Sequence, residues 1–505
     1  METGAALSRR PTVVGGLLLI LMLLTGLGWA VSSPVESSPD DNYHLGSIWC
    51  PRPAGESCQT SVVDGDPVVR VPIAVADESM RCYVLQSNKS AGCALGYDDS
   101  HMVWSKRFDN GAYPIGYYHF HHLLVGKDVQ TSVLVMRGVN VLIAVALLGT
   151  IGFCAPRQLR RPFIGAIVAS WVPMGVYFIA SNNPSSWAVS GLMAYSAATF
   201  MAPQQKGSHR IALVICAVIG AVMCLTSRYD AAFFLLVVGL ALLFAVPWKR
   251  GGWIGLTALA GVALLGVGTF MASSQVSKVA YFLRVFEASD PAKSADKQPF
   301  FEKLLVGLET APKYLGGFWG HTWTPGWHDV PLGARAPYVL TIMAAGAFVA
   351  VGLRRGGWRK WTALAIIVGS MVLLPALFYA NGAMDTIELY QARYIFPLLA
   401  PTFFLMLAVD QDEGAWFTVP QAVWVTVFIS LCQTITLHTL LLRFVQGAQE
   451  RWELDLNKHI EWWWSAPVSP MMVWFFTTCF ATAALGTAIA MLTRTAEKHE
   501  ATQHS

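Results

Sequence analysis

The sequence predicts an all-α polytopic membrane protein, a bundle of about twelve transmembrane helices of ~20 residues each joined by loops on both faces. Three observations predict it. Of 505 residues, 54% are hydrophobic and only 13% charged, roughly half the ~25% charged share of a soluble protein. Mean hydropathy is +0.47. Apolar runs recur along most of the chain, and every alternate loop between them is basic. This composition excludes a disordered chain, a coiled coil and an ordinary soluble enzyme. The net charge of +4 is too small and too unevenly placed to suggest a nucleic-acid partner.

Taken in order, the spans fall near 11–31, 133–155, 162–181, 185–203, 210–226, 230–248, 252–272, 336–353, 361–380, 394–409, 416–441 and 470–492. Only a helix satisfies its own backbone in lipid. The first span follows Arg9 and Arg10 and could also be read as a cleaved signal peptide; its ~21-residue apolar run favours a retained helix. Arg157, Arg160 and Arg161 follow the second span, Lys206 and Arg210 the fourth, Lys249 and Arg250 the sixth, and Arg354, Arg355, Arg359 and Lys360 the eighth. By the positive-inside rule both termini are cytoplasmic, including the tail 493–505. The loop with Asp410, Asp412 and Glu413 departs from the pattern, but acids weigh little in this rule. A membrane domain over 133–492 then carries outer segments 273–335 and 442–469, and the longest outer loop, 32–132, precedes it.

Cysteines agree with this map. Cys50, Cys58, Cys82 and Cys93 all fall in the first outer loop. On an oxidising face they imply two disulfides, with three possible connectivities. Zinc is the competing reading, but the spacings lack close C-x₂₋₄-C pairs. Asn88-Lys89-Ser90 fits a glycosylation sequon.

Charges beside span ends on the outer side are where chemistry is to be sought. In Ser38-Pro39-Asp40-Asp41-Asn42-Tyr43-His44, two readings compete. Ser38 can be a helix N-cap with Pro39 as the first helical residue and the acids facing the helix dipole. Alternatively Asp40 and Asp41 supply a general base, with His44 on the same helix face. The stretch 110–122, with Tyr117 and His119, His121 and His122, reads as an interfacial aromatic belt; its histidines lack the i, i+4 spacing of a helical zinc pair. Asn183 lies in a tight Asn-Asn-Pro turn. Arg228 and Arg393 stand outside, against the charge bias. Each can snorkel, pair with an acid such as Asp230, Asp385 or Glu388, or bind a phosphate, which suits a planar guanidinium. Gly316-Gly317-Phe318-Trp319-Gly320-His321 combines close-packing glycines with a ring that can stack on a sugar, or simply packs at the interface. Trp462-Trp463-Trp464 suits the headgroup layer.

The order of these motifs resembles a family of bacterial polytopic membrane proteins catalogued as domain-of-unknown-function family 2142, itself similar to the GT-C class of membrane glycosyltransferases. Pro39-Asp40-Asp41-Asn42-Tyr43-His44 matches a Pro-Asp-Glu-x-x-His-like stretch after the first span. A Pro- and Tyr-rich stretch at 113–118 follows, then Arg137-Gly138-Val139-Asn140, Pro173-Met174 with Asn183-Pro184-Ser185, and Ala392-Arg393-Tyr394-Ile395-Phe396-Pro397-Leu398. Asp41, Ser185 and Ala392 depart from the Glu, Asp and Gly common in the family, and the second departure leaves any role for position 185 in doubt. The match spans roughly residues 12 to 410, and the cysteine-bearing part of the first outer loop is an elaboration.

The resemblance implies a GT-C-like bundle in a bacterial plasma membrane that uses a polyprenyl-phosphate-linked sugar in the outer leaflet. The acceptor would be a glycan, lipid or protein. Asp40 is then the first candidate base and Asp41 its partner. His44, Tyr117, Asn183, Arg228, His321 and Arg393 are candidate substrate-binding residues, with Arg393 and Arg228 steadying the leaving phosphate. No cofactor is required by the sequence, no metal ligands are assigned, and a divalent metal stays open because some GT-C enzymes use one. Two rival functions remain: a transporter or flippase of lipid-linked sugars, and a non-catalytic envelope assembly protein using the disulfide loop to dock.

Overall fold

The computed structural model describes residues 2–76, 82–248, 253–272, 299–332, 336–382, 384, 386–410, 416–448 and 453–493. Lys249, Arg250, Asp385, Asp412 and Glu413, the stretch 273–298 of the expected outer segment 273–335, and the tail beyond 493 lie outside the described residues.

The chain is mostly helical. In order, the longer helices are α1 (Glu2–Ala30), α2 (Asp41–Trp49), α3 (Gly116–His122), α4 (Val129–Cys154), α5 (Arg160–Ser170), α6 (Met174–Ile179), α7 (Ser185–Met201), α8 (Gly207–Ser227), α9 (Tyr229–Ala245), α10 (Trp253–Met271), α11 (Phe300–Glu309), α12 (Ala311–Gly317), α13 (Ala336–Gly352), α14 (Trp358–Ala380), α15 (Leu399–Ala408), α16 (Val419–Val445) and α17 (Pro470–Thr493). Among the described residues, 7 helices are long and apolar enough to cross a bilayer: residues Val13–Ala30 of α1, α4, α8, Ile254–Met271 of α10, α14, α16 and α17. Tyr229–Ala245, Ala336–Gly352 and Phe396–Ala408 are apolar but shorter.

Against the twelve expected spans, the differences have local causes. The third, 162–181, is two helices, α5 and α6, separated at Trp171-Val172-Pro173. Proline carries no N–H and clashes with the preceding turn, so a continuous helix stops there. The tenth begins as a short 3-10 turn, Phe396–Leu398, before α15. The fourth, α7, has every residue but Thr199 buried; a helix apolar on all sides belongs in a core rather than against lipid. It crosses α8 where Gly191 faces Gly220 and a Cβ on either would strike the other's backbone, the close approach that small residues allow between membrane helices.

The first long loop is not purely helical, which corrects the all-α expectation. It holds an antiparallel sheet ordered β1 (Thr60–Val63), β2 (Asp66–Pro72) and β3 (Met102–Ser105). Its expected disulfides are present and their connectivity is sequential, Cys50–Cys58 and Cys82–Cys93. Trp464, in the tryptophan run, is buried, and its indole donates to the Val31 carbonyl at 2.5 Å, so that ring ties the loop face to the end of α1.

The orientation read from the basic loops gives an expected labelling pattern. Ser100 and Thr386 are exposed on the face of the disulfide loop, and Ser208 is exposed in the first turn of α8 at the other end. In intact cells an impermeant thiol reagent should label Ser100→Cys and Thr386→Cys but not Ser208→Cys. The reverse pattern would invert the topology.

Candidate functional site

The site is built on the segment that leaves α1. Ala30 ends α1 and residues 31–39 are not helical, so the carbonyls of this stretch need other partners, and side chains from distant parts of the chain supply them. The Arg137 guanidinium on α4 donates to Ala30 (3.1 Å), Ser33 (2.6 Å) and Pro34 (2.8 Å). Tyr83 donates to Val35 (2.6 Å), Trp327 to Glu36 (2.9 Å) and Tyr177 to Ser37 (3.2 Å). Pro39 accepts from Asn183 (2.9 Å) and Arg393 (3.2 Å). The motif residues Arg137, Asn183 and Arg393 therefore share one job, fixing the backbone that carries Asp40 and Asp41.

The two aspartates part ways there. The helix starts at Asp41 with Asp40 as its N-cap residue, rather than at Pro39 behind a Ser38 cap. Ser38 instead donates to Asp41, from its hydroxyl to Oδ1 and from its amide to Oδ2 at 3.1 Å. Asp41 is fully buried, and Arg137 stands 3.9 Å away. Burial pushes the Asp41 carboxyl above its usual range, while Arg137 and Ser38 pull it back. Asp40 is different. Its backbone is left-handed, φ 62° and ψ 16°, and its side chain caps nothing. Its carboxylate is 35% exposed and meets Arg393 Nη2 at 2.6 Å and Arg107 Nη2 at 3.8 Å. Burial is the largest influence and would raise its pKa; Arg393, His44 and Arg107 together outweigh it, so Asp40 titrates below the usual carboxylate range.

Arg393 is nearly enclosed and is held by Gln391, which accepts from its Nε. His328 shares that Gln391 oxygen at 3.2 Å. Arg228 forms a two-toothed pair with Asp230, Nε to Oδ1 at 2.9 Å and Nη2 to Oδ2 at 2.6 Å, and its Nη1 donates to Ser185 at 3.3 Å. Both guanidiniums lie against the Tyr394 ring, Arg393 at 5.1 Å and Arg228 at 5.6 Å from its centre; Arg228 also lies 5.7 Å from Tyr113. Three guanidiniums, Arg107, Arg228 and Arg393, thus face two carboxylates, Asp40 and Asp230. The cluster carries a positive excess at the loop face.

His44 sits under this cluster, fully buried, with Nδ1 2.9 Å from the Tyr118 hydroxyl. Burial is the largest influence on it and, with the guanidiniums, outweighs the attraction of Asp40, holding the imidazole neutral with a pKa of about 3. Unfolded, it would take a proton near pH 6.5. The unfolded chain therefore binds more protons between pH 6.5 and 3, and stability falls as pH drops through that window. The expected loss from this residue is about 2 kcal/mol by pH 5. Thermal unfolding of purified protein at pH 7.5 and 5.0 should show wild type losing more than His44→Gln; equal losses would reject it.

Of the other candidates, Tyr117 and His321 are placed elsewhere, while Asn183 supports the site through Pro39. Tyr117 is fully buried and its hydroxyl accepts from Asn140 at 3.2 Å, while Asn140 also bonds His121, Trp187 and Ser181. Asn183 is buried against Pro39. His321 lies against Tyr338 with ring centres 4.6 Å apart and planes tilted by 42°. Among the described residues no group of three His, Cys, Asp or Glu is placed to hold a metal ion. Arg107, Gln391, His328, Tyr113 and Tyr394 join the Asp40 cluster without having been singled out for it in the sequence. Tyr113 and Tyr394 did carry a signal, since they lie within the 113–118 and 392–398 motifs.

No curated protein and no solved structure matches the chain. A family described as "Predicted membrane protein (DUF2142)" matches residues 23–402, a stretch that contains Asp40, Arg137, Asn183, Arg228 and Arg393. Matched over most of its length, the chain belongs to this DUF2142 family of membrane proteins.

Proposed function

We propose that the protein is a membrane glycosyltransferase that moves a sugar from a polyprenyl-phosphate donor to a glycan, lipid or protein acceptor. The reaction would take place on the outer face of a bacterial plasma membrane, with both termini in the cytoplasm. The observation that carries this reading is the Asp40–Arg393 pair, a partly exposed carboxylate 2.6 Å from a nearly enclosed guanidinium within a cluster of positive excess. An incoming donor phosphate would compete with Asp40 for Arg393, with Arg228 beside it. Released from Arg393, Asp40 becomes a stronger base. It takes the proton of the acceptor hydroxyl as that oxygen bonds to the anomeric carbon. The bond from that carbon to the phosphate oxygen breaks, and the electron pair leaves on the polyprenyl phosphate, steadied by the guanidiniums. Asp41 supports Asp40 from below through the Ser38 turn.

The test is reconstitution of the purified protein in liposomes with polyprenyl-phosphate sugars. Release of free polyprenyl phosphate that depends on acceptor supports the reading. A transporter of lipid-linked sugars is the second reading, favoured by the helix broken between α5 and α6. It predicts movement of intact donor between leaflets without release. Neither activity across a panel of donors would turn attention to an assembly role.

A further inference from the structure

A second feature lies away from the Asp40 cluster and is independent of the proposed activity. A cleft of about 720 Å³ opens between α1, α4, α5 and α17. It runs along α1 from Gly15 to Thr25 and along α17 from Ala481 to Met491. At 1.5 Å per residue each wall is about 15 Å long, half of a ~30 Å hydrocarbon core, which is the depth of one leaflet. Trp171, Val176 and Gln433 line it at the deep end. Its walls are apolar and it is open at the side, between helices.

The shallow end is charged. Arg160 lines it, anchored by donating from Nη2 to the Phe153 carbonyl at 3.0 Å and from Nε to the Ala155 carbonyl at 3.3 Å. Arg157 and Arg161 lie three residues before Arg160 and one after it in the chain. Among the described residues none of the three forms an ion pair with a carboxylate. A leaflet-deep apolar cleft beneath unpaired cations matches an anionic amphiphile better than a free anion, which has no use for the cleft, or a neutral chain, which has none for the charge.

We propose that this cleft holds one anionic glycerophospholipid of the leaflet on the arginine side, its phosphate at Arg160 and Arg161 and an acyl chain along α1 and α17. The bound chain joins α17 to α1 and α4 as a structural component. The test uses wild-type protein in nanodiscs and two probes bearing the same diazirine-labelled acyl chain, phosphatidylglycerol and phosphatidylcholine. Phosphatidylglycerol should label the stretches 146–153 and 481–491 several-fold more strongly. Arg161→Gln, which leaves the Arg160 bonds in place, should weaken that labelling about fivefold, the scale for one basic residue at an anionic lipid surface. Gly16→Leu fills the cleft, because a methyl at Gly16 meets nothing within 4 Å, and should remove labelling by both probes. Gly15→Leu, equally open, reads the same if the first variant does not fold. Equal labelling by the two headgroups in wild type, or labelling that survives a folded Gly16→Leu, would assign the cleft to ordinary annular lipid and overturn the proposal.

Discussion

Asp40→Asn should reduce sugar transfer by ~10²–10⁴-fold, the usual contribution of a general base, while leaving the protein folded. The second half of that expectation follows from the backbone. Asp40 is held at φ 62°, and asparagine adopts the left-handed region more readily than most residues. The side chain caps no helix, so no cap is lost with the charge. Arg393 keeps its bonds to Gln391 and Pro39. A fall in turnover could not then be blamed on a collapsed loop. Arg393→Lys supplies the companion measurement. It keeps the charge but loses the planar fork that reaches Gln391, Pro39 and Asp40 together. Donor affinity should weaken in that variant, whereas Asp40→Asn, by releasing Arg393, should bind donor at least as tightly as wild type. The measurement is donor binding alongside release of polyprenyl phosphate. Wild-type turnover by Asp40→Asn would remove Asp40 as the base, and unchanged donor affinity in a folded Arg393→Ala would remove the phosphate role.

Arg137→Met should cost about 3–5 kcal/mol, the loss typical of removing one partner from a buried ion pair. Arg137 is almost fully enclosed, stands 3.9 Å from the buried Asp41, and donates to the carbonyls of Ala30, Ser33 and Pro34. Methionine fills similar space but donates nothing. The loss divides into a charge part and a hydrogen-bond part. Adding Asp41→Asn to Arg137→Met removes the stranded carboxylate and should recover the charge part only, and a double-mutant cycle on thermal stability measures it. No coupling between the two positions would mean that the pair contributes nothing and that the carbonyl bonds alone explain the cost.

Of the twelve expected spans, 7 correspond to described helices long and apolar enough to cross, and these were legible because burial in lipid acts on every residue of a helix at once, and hydropathy sums it. Breaks were harder. Pro173 is plain in the sequence, but hydropathy does not weigh a missing N–H, so α5 and α6 read as one span. The sheet was legible and missed. Val62-Val63-Asp64-Gly65-Asp66 is a strong two-residue hairpin signal, and both turn residues adopt positive φ, 54° for Asp64 and 85° for Gly65. In the site, Asp40, Arg228 and Arg393 stood out because charge at a span end is unusual. What could not be read was pairing. The acid that meets Arg393 is Asp40, 353 residues earlier, while the nearby candidates Asp385 and the Glu388 side chain lie outside the described residues. Local spacing offered Asp230 to Arg228 correctly, because that contact is two residues long. Arg107 and His328 reach the cluster through loops whose course depends on the whole fold.

The carbonyl-by-carbonyl support of residues 30–39 also bears on the order of assembly. Its donors run from Tyr83 to Trp464, so the segment is among the first made and the last completed. During synthesis it must wait, unpaired, while nearly every later helix is inserted, because Tyr83, Arg137, Tyr177, Asn183, Trp327, Arg393 and Trp464 arrive one after another. Contacts of such long sequence separation form late. Asp40 is therefore set in place only when the chain is essentially whole. A truncated or wrongly threaded copy would have the carboxylate but not its setting, and the membrane would not hold half-built molecules with a working site.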